Sequence, residues 1–242
     1  MDYFWIDREH IPDGLGFSLF SSTHILELSL AIIFCIFMMY IYSKSDEVKR
    51  DRIRKIIVVA MWIDEALKHI ELLATGQWAP SYLPLHLCSI NIFFCSFQAY
   101  SKDKKFWADF LWAICVPTVI LTLISPAWIK LPFINFMQFH HFSIHALLLA
   151  YPMMLMAGRE VDRKLSEVPR ILIVLAVLAV MDYGVNLFLS TNFMYLMRTD
   201  NNGLLNLLQN IFGSHLTGLL ILAPIMIILM MMPIGKKKTE VL

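Results

Sequence analysis

Lys44-Ser45-Asp46-Glu47-Val48-Lys49-Arg50-Asp51-Arg52-Ile53-Arg54-Lys55 puts six cations into twelve residues between two apolar runs. A helix of roughly 20 mostly apolar residues crosses the hydrocarbon core of a bilayer, and a basic connector between two such runs marks the cytoplasmic side. Reading outward from this loop in windows of that length gives seven candidate spans, at about 22–43, 55–75, 82–100, 107–125, 137–157, 170–190 and 212–232. The connectors between them are short and polar, and no internal repeat is evident. Composition agrees. Of the 242 residues 58% are hydrophobic and only 16% charged, against about a quarter charged in ordinary soluble domains. A soluble core could not hide that much apolar surface. The expected fold is all-α and polytopic: one seven-helix transmembrane domain at 22–232, an N-terminal segment at 1–21 and a basic cytoplasmic tail at 233–242.

Charge sets the orientation. The 44–55 loop shares its side with Lys102, Lys104 and Lys105, with Arg159, Arg163, Lys164 and Arg170, and with Lys236, Lys237 and Lys238. That makes sixteen cations, against three (Arg8, Lys130, Arg198) on the other side. The N-terminus is therefore expected outside and the C-terminus inside, in a multi-pass cell-membrane protein of bacterial plasma-membrane type. Segment 1–21 carries Asp2, Asp7, Glu9 and Asp13 and lacks a basic n-region, so no cleavable signal peptide is expected. Phe4, Trp5, Phe17 and Phe20 suit it to the outer interface. A net charge of +1 gives no reason to expect a nucleic-acid partner. Cys35, Cys88, Cys95 and Cys115 all fall within spans, which argues against a disulfide framework.

Polar residues inside the spans segregate by direction. Odd spans run inward and even spans outward, so His24 and Glu27, Glu65 to Glu71, His86 to Asn91, His140 to His145, Asp182 with Asn186, and His215 all map to the outer half. Ionisable groups at such depth usually face a cavity and pair with one another. One hydrated cavity shared by six helices is the simplest cause. Glu65 with Lys68 or His69 has the i,i+3/i+4 spacing for pairing on one face. His141 and His145 share a face, and His140 points about 100° away.

Leu83-Pro84-Leu85-His86-Leu87-Cys88-Ser89-Ile90-Asn91 carries the one thiol at that depth. A thiolate can attack an acyl carbonyl while an imidazole moves the proton and an amide stabilises the oxyanion. His86 and Cys88 are i,i+2, about 200° apart on a helix, so the base is expected from another helix, with His141 or His145 favoured. Asn91, at i+3 from Cys88, can orient the acyl group. Two other chemistries stay open. His141-x-x-x-His145 has the spacing for two imidazoles on one zinc, with His86, His24 or Asp182 completing the shell of a lipid hydrolase. A non-enzymatic transporter or lipid-binding protein, switched by Glu65 and Lys68, would need only the cavity. Each residue also has a bland reading: Cys88 as a small buried side chain, and span two as a self-satisfied polar stripe.

Three stretches carry a family likeness: Leu83-Pro84-Leu85-His86-Leu87-Cys88, Asn135-Phe136-Met137-Gln138-Phe139-His140-His141 and Thr191-Asn192-Phe193-Met194-Tyr195-Leu196. They resemble the YwaF/TMEM164 family of integral membrane proteins, from about residue 20 to 232. The resemblance implies a phospholipid acyltransferase or transacylase working through a cysteine thioester. Cys88 matches the nucleophile and a histidine of the span-five cluster, His141 or His145, matches the base. His86, Asn91, His24, Glu65, His69, His140, Asp182, Asn192, Tyr195 and His215 are the expected substrate-binding residues. Membrane phospholipids and lysolipids are the expected partners, with no cofactor.

Overall fold

The computed structural model describes residues 3–126, 128–200 and 202–233. The tail from 234 onward, with Lys236 to Lys238, lies outside the described residues, as do Asp2 and Asn201. Among the described residues the fold is all helical. Its helices are α1 (Ser22–Lys44), α2 (Glu47–Ala74), α3 (Leu87–Tyr100), α4 (Lys104–Ile124), α5 (Phe136–Ala157), α6 (Val168–Leu189), α7 (Gly203–Phe212) and α8 (His215–Met231), with 3-10 turns at Pro80–Tyr82, Leu165–Glu167 and Phe193–Tyr195. The chain divides into two compact units, Met1–Glu160 and Val161–Leu242.

Side-chain caps start the helices of the first unit where the sequence supplies them. Ser21, Asp46, Asp103 and Asn135 accept from His24 N, Lys49 N, Phe106 N and Gln138 N, each satisfying a first-turn donor that has no intrahelical acceptor. α5 is the hub, packed against α1, α2, α3 and α4. Its second half, from Ala146 on, is apolar nearly all round, as a helix surrounded by others must be, while its first half carries Gln138, His140, His141, Ser143 and His145. Among the described residues three helices are long and apolar enough to cross a membrane: Ser22–Lys44, Lys104–Ile124 and Leu165–Leu189, the last counting the 3-10 turn before α6. α7 and α8 pass that test only as a pair, bent by 101°.

One expected boundary is corrected. Span three does not begin as a helix near Tyr82. Leu83 has φ −54° and ψ 145°, the extended conformation that a following proline enforces, and α3 starts at Leu87. At 14 residues it is about 21 Å long, short of a hydrocarbon core of roughly 30 Å. The last expected span, 212–232, is α8, which a separate short helix precedes. Gly213, at φ 73°, closes α7 in the left-handed conformation that glycine adopts at helix ends, and α8 begins afresh at His215. α7 lies outside the seven candidate spans. Its start is the Asn202 side chain, which accepts from Leu204 N and Leu205 N.

The end of the first unit where α1 meets α2 is closed by a buried charge cluster. Arg54, 1% exposed, donates from Nη1 to Glu160 Oε2 (2.6 Å) and Tyr42 Oη (2.9 Å), and from Nη2 to Glu47 (3.1 Å) and Asp51 (3.2 Å). Tyr42 in turn donates to Glu160 Oε1 at 2.6 Å. Arg50 donates to the carbonyls of Tyr42, Ser43 and Gly158. Gly158 must stay small, since a Cβ there would sit 2.7 Å from the Tyr42 ring. Asp51 also receives Lys55 and Lys104 (3.1 Å). Those two lysines, Lys55 first, hold its carboxyl well below the usual carboxylate range.

Candidate functional site

At the opposite end of the first unit the N-terminal segment is docked over the helix termini. Asn135 caps α5 with Oδ1 and donates from Nδ2 to Tyr3 O and Ile6 O, both at 2.8 Å. Gln77 accepts from Asp7 N (2.8 Å) and donates to Trp5 O (2.7 Å). Tyr82 donates to Asp7 Oδ2 at 2.7 Å, while His10 Nδ1 pairs with Asp7 Oδ1 at 2.6 Å. Phe17 N donates to Ile129 O at 2.9 Å, an approach that only Gly16 permits, because a Cβ there would lie 1.9 Å from the same oxygen. These contacts tie the end of α2, the approach to α3 and the starts of α4's exit loop and α5 into one surface.

Beneath this cover lie the polar residues of α1, α2, α3 and α5. His24 accepts from Phe20 N at Nδ1 and donates from Nε2 to Leu123 O, both at 2.9 Å; its two ring nitrogens are spent on backbone. His69 accepts from Trp78 Nε1 at Nδ1 (3.3 Å) and turns Nε2 toward Glu65 Oε1 (3.4 Å). Lys68 donates to the same Glu65 oxygen, so the expected pairing along α2 is present. His140 lies between two α2 carboxylates, with Nδ1 3.3 Å from Asp64 and Nε2 3.9 Å from Glu65 Oε2. Ser143 also donates to Asp64, at 2.8 Å. Gln138 joins α5 to α1 by donating to Glu27.

His141 and His145 are arranged differently. Both rest on Trp128, whose ring stacks on His141 at 5.3 Å and 12° and lies 4.8 Å from His145. His145 Nδ1 is 2.6 Å from His141 O. A carbonyl can only accept, so Nδ1 carries the proton and Nε2 of the neutral ring keeps a lone pair. His141 makes no hydrogen bond to the described residues. Of the imidazoles of α1, α2 and α5 at this end, these two retain a nitrogen free for chemistry. They are the pair the sequence singled out.

Cys88 is the second residue of α3, two after the cap position occupied by His86, whose side chain makes no cap bond. The Thr122 hydroxyl of α4 lies beside the Cys88 thiol, one residue from the carbonyl that holds His24. The thiol is half-buried, whereas Cys35, Cys95 and Cys115 are buried. Asn91, one turn further along α3, is 0% exposed, with neither Nδ2 nor Oδ1 hydrogen-bonded. Among the described residues no three of His, Cys, Asp and Glu are grouped to hold a metal ion.

Asp182, Asn192, Tyr195 and His215 belong to the second unit. Asn192 organises its own loop: Oδ1 accepts from Met197 N and Arg198 N, and Nδ2 donates to Arg198 O and Asp200. With Asn186, which bonds Phe193 N, Phe193 O and Thr191, it stabilises a turn in which Met194 and Tyr195 adopt φ of 54° and 56°, uncommon for residues with a Cβ. His215 Nε2 donates to Tyr195 O at 3.1 Å. Asp182 is buried with one carboxylate oxygen unpartnered.

Asp64, Ser143, Trp128, Gln138 and Thr122 join the site without having stood out in the sequence. Asp64, at i−1 from Glu65, was legible as part of the polar stripe. Trp128 and Thr122 carry no chemical signature of their own and join the site only through packing.

A model of the TMEM164 family matches residues 19–233. No curated protein and no solved structure matches the chain.

Proposed function

The chain belongs to the TMEM164 family, and from that membership and the one-ended polar layer of its first unit we propose that it is a membrane-embedded lipid acyltransferase. Its helices cross the bilayer seven times, N-terminus outside and C-terminus inside, and the site lies in the outer half. Cys88 is the nucleophile, His145 or His141 the base, and His86 and Asn91 position the acyl carbonyl. The donor is a phospholipid and the acceptor a lysolipid hydroxyl. A site on the outer side is out of reach of a cytosolic thioester donor, which makes a neighbouring membrane lipid the acyl source.

The observation that carries this reading is the distribution of free chemical capacity. His24, His69 and His140 have both ring nitrogens facing partners, whereas His141 and His145 keep a nitrogen free at the end of the unit where α3 presents the half-buried Cys88 thiol. A thiol and an unspent imidazole are the two groups that thioester chemistry requires.

The chemistry runs in two halves. The histidine takes the thiol proton as sulfur attacks the ester carbonyl; the C–O bond breaks, and the departing lysolipid alkoxide takes that proton. Acyl transfer to a second lysolipid reverses the sequence and returns the thiol. Purified protein in vesicles carrying a labelled phospholipid acyl chain and an unlabelled lysolipid should move the label between them. Cys88→Ala should not, and transfer at an unchanged rate in that variant would refute the thioester route.

A further inference from the structure

Three features meet at the head of α3. The cap position contributes no side-chain cap bond to the first turn, and the N–H groups of Leu87, Cys88 and Ser89 have no acceptor among the described residues. Asn91 is 0% exposed with both polar atoms of its amide unsatisfied. A helical side chain leans back over the turn that precedes it, so the Asn91 amide lies along the turn that begins with Leu87 and Cys88. A buried amide without partners is costly, and native structures keep one chiefly where a ligand, ion or water completes it.

We propose that this turn is the oxyanion hole of the acyl transfer, with the free backbone N–H groups at Leu87–Ser89 and Asn91 Nδ2 as the donors. The proposal rests on Cys88 being the nucleophile. When the Cys88 sulfur bonds to the ester carbon, the carbonyl π pair moves onto oxygen, and that negative charge forms beside the first turn of α3. Unpaired N–H groups there are already oriented, and the positive end of the helix dipole adds to them. Collapse re-forms the C=O bond and breaks the C–O bond. The leaving alkoxide then takes the proton that the histidine removed from the thiol. Thr122 of α4, whose hydroxyl donates to Thr118 O at 2.9 Å, lies beside the sulfur. Asn91 thus has a catalytic role distinct from general substrate binding: its contact strengthens as charge develops.

The test is single-turnover acylation of the full-length protein in detergent micelles with p-nitrophenyl octanoate, following the burst of nitrophenol, with Cys88→Ala as background. Asn91→Leu should slow the burst by about 100-fold or more, the usual effect of losing one oxyanion donor. Its half-saturation concentration should stay unchanged. Its unfolding midpoint should hold or rise, because an apolar group of similar shape replaces an unpaired buried amide. A wild-type burst rate in Asn91→Leu would overturn the oxyanion role while leaving the nucleophile intact. Loss of the burst together with a lowered midpoint would make Asn91 a structural amide and overturn its catalytic role. Absence of any Cys88-dependent burst in the wild-type protein would remove both proposals together.

Discussion

Glu160→Ala is the sharpest probe of what closes the first unit. Glu160 accepts from both Arg54 and Tyr42 at 2.6 Å, and Arg54 is 1% exposed. Removing one partner of a buried charge pair typically costs about 3–5 kcal/mol, because the surviving charge stays buried. Arg54 keeps Glu47 and Asp51, and the Glu160 side chain is itself 21% exposed. Both facts pull the expected loss to the low end, about 3 kcal/mol. Glu160→Gln removes the charge and keeps one of the two acceptor oxygens, enough for Arg54 or Tyr42 but not both, so about 1–1.5 kcal/mol should be lost. Combining Glu160→Ala with Tyr42→Phe should cost less than the sum of the two singles, since they share one hydrogen bond. Denaturant unfolding of the detergent-solubilised protein, followed by tryptophan fluorescence, reads all four. A Glu160→Ala protein within about 0.5 kcal/mol of wild type, the range of ordinary surface substitutions, would refute the cluster as a stabilising element.

Asn135→Ala removes the α5 cap together with both bonds to Tyr3 O and Ile6 O. Losses of about 1 kcal/mol for each such bond should raise hydrogen exchange in residues 3–11 at least tenfold, and unchanged protection there would refute the docking of this segment. Asp51 supplies a pH signature. Its folded carboxyl is held below the usual range by Lys55 and then Lys104, so its contribution is complete above the ordinary carboxylate value of about 3.9. That contribution is lost as pH falls through the lower folded value. Wild type should therefore exceed Asp51→Asn in stability at neutral pH and lose that advantage only below about pH 4; an advantage that disappears already near pH 6 would contradict the assignment.

The long helices were legible because an apolar run ends where a cap or a charge begins. Ser21, Asp103 and Asn135 start α1, α4 and α5 within a few residues of the hydropathy edges. α2 begins earlier than its apolar window because Asp46 caps it and Glu47, Asp51, Arg54 and Lys55 pair along its polar first turns. The face shared by His141 and His145 and the opposite turn of His140 followed from helical periodicity alone, and both are seen against Trp128 and against Asp64. The docked N-terminal segment was not legible. It depends on bonds from Gln77, Tyr82 and Asn135, which lie about 70–130 residues away in the chain and have no local signature, as is usual for tertiary contacts. α7 was hidden because, at ten residues, it is too short to show in windows of span length. His24 shows the limit of polarity as a guide to function. It looked like a site residue, yet both its nitrogens serve the backbone.

The central claim is that the Cys88 sulfur carries the acyl group. Incubating the purified protein with phospholipid vesicles, quenching in acid and mapping the peptides by mass spectrometry tests it directly. The account predicts a hydroxylamine-sensitive fatty acyl adduct on the peptide containing Cys88, accumulating when lysolipid acceptor is withheld and discharged when it is added. An adduct confined to another residue, or transfer of the acyl group with Cys88 unmodified throughout, would contradict it.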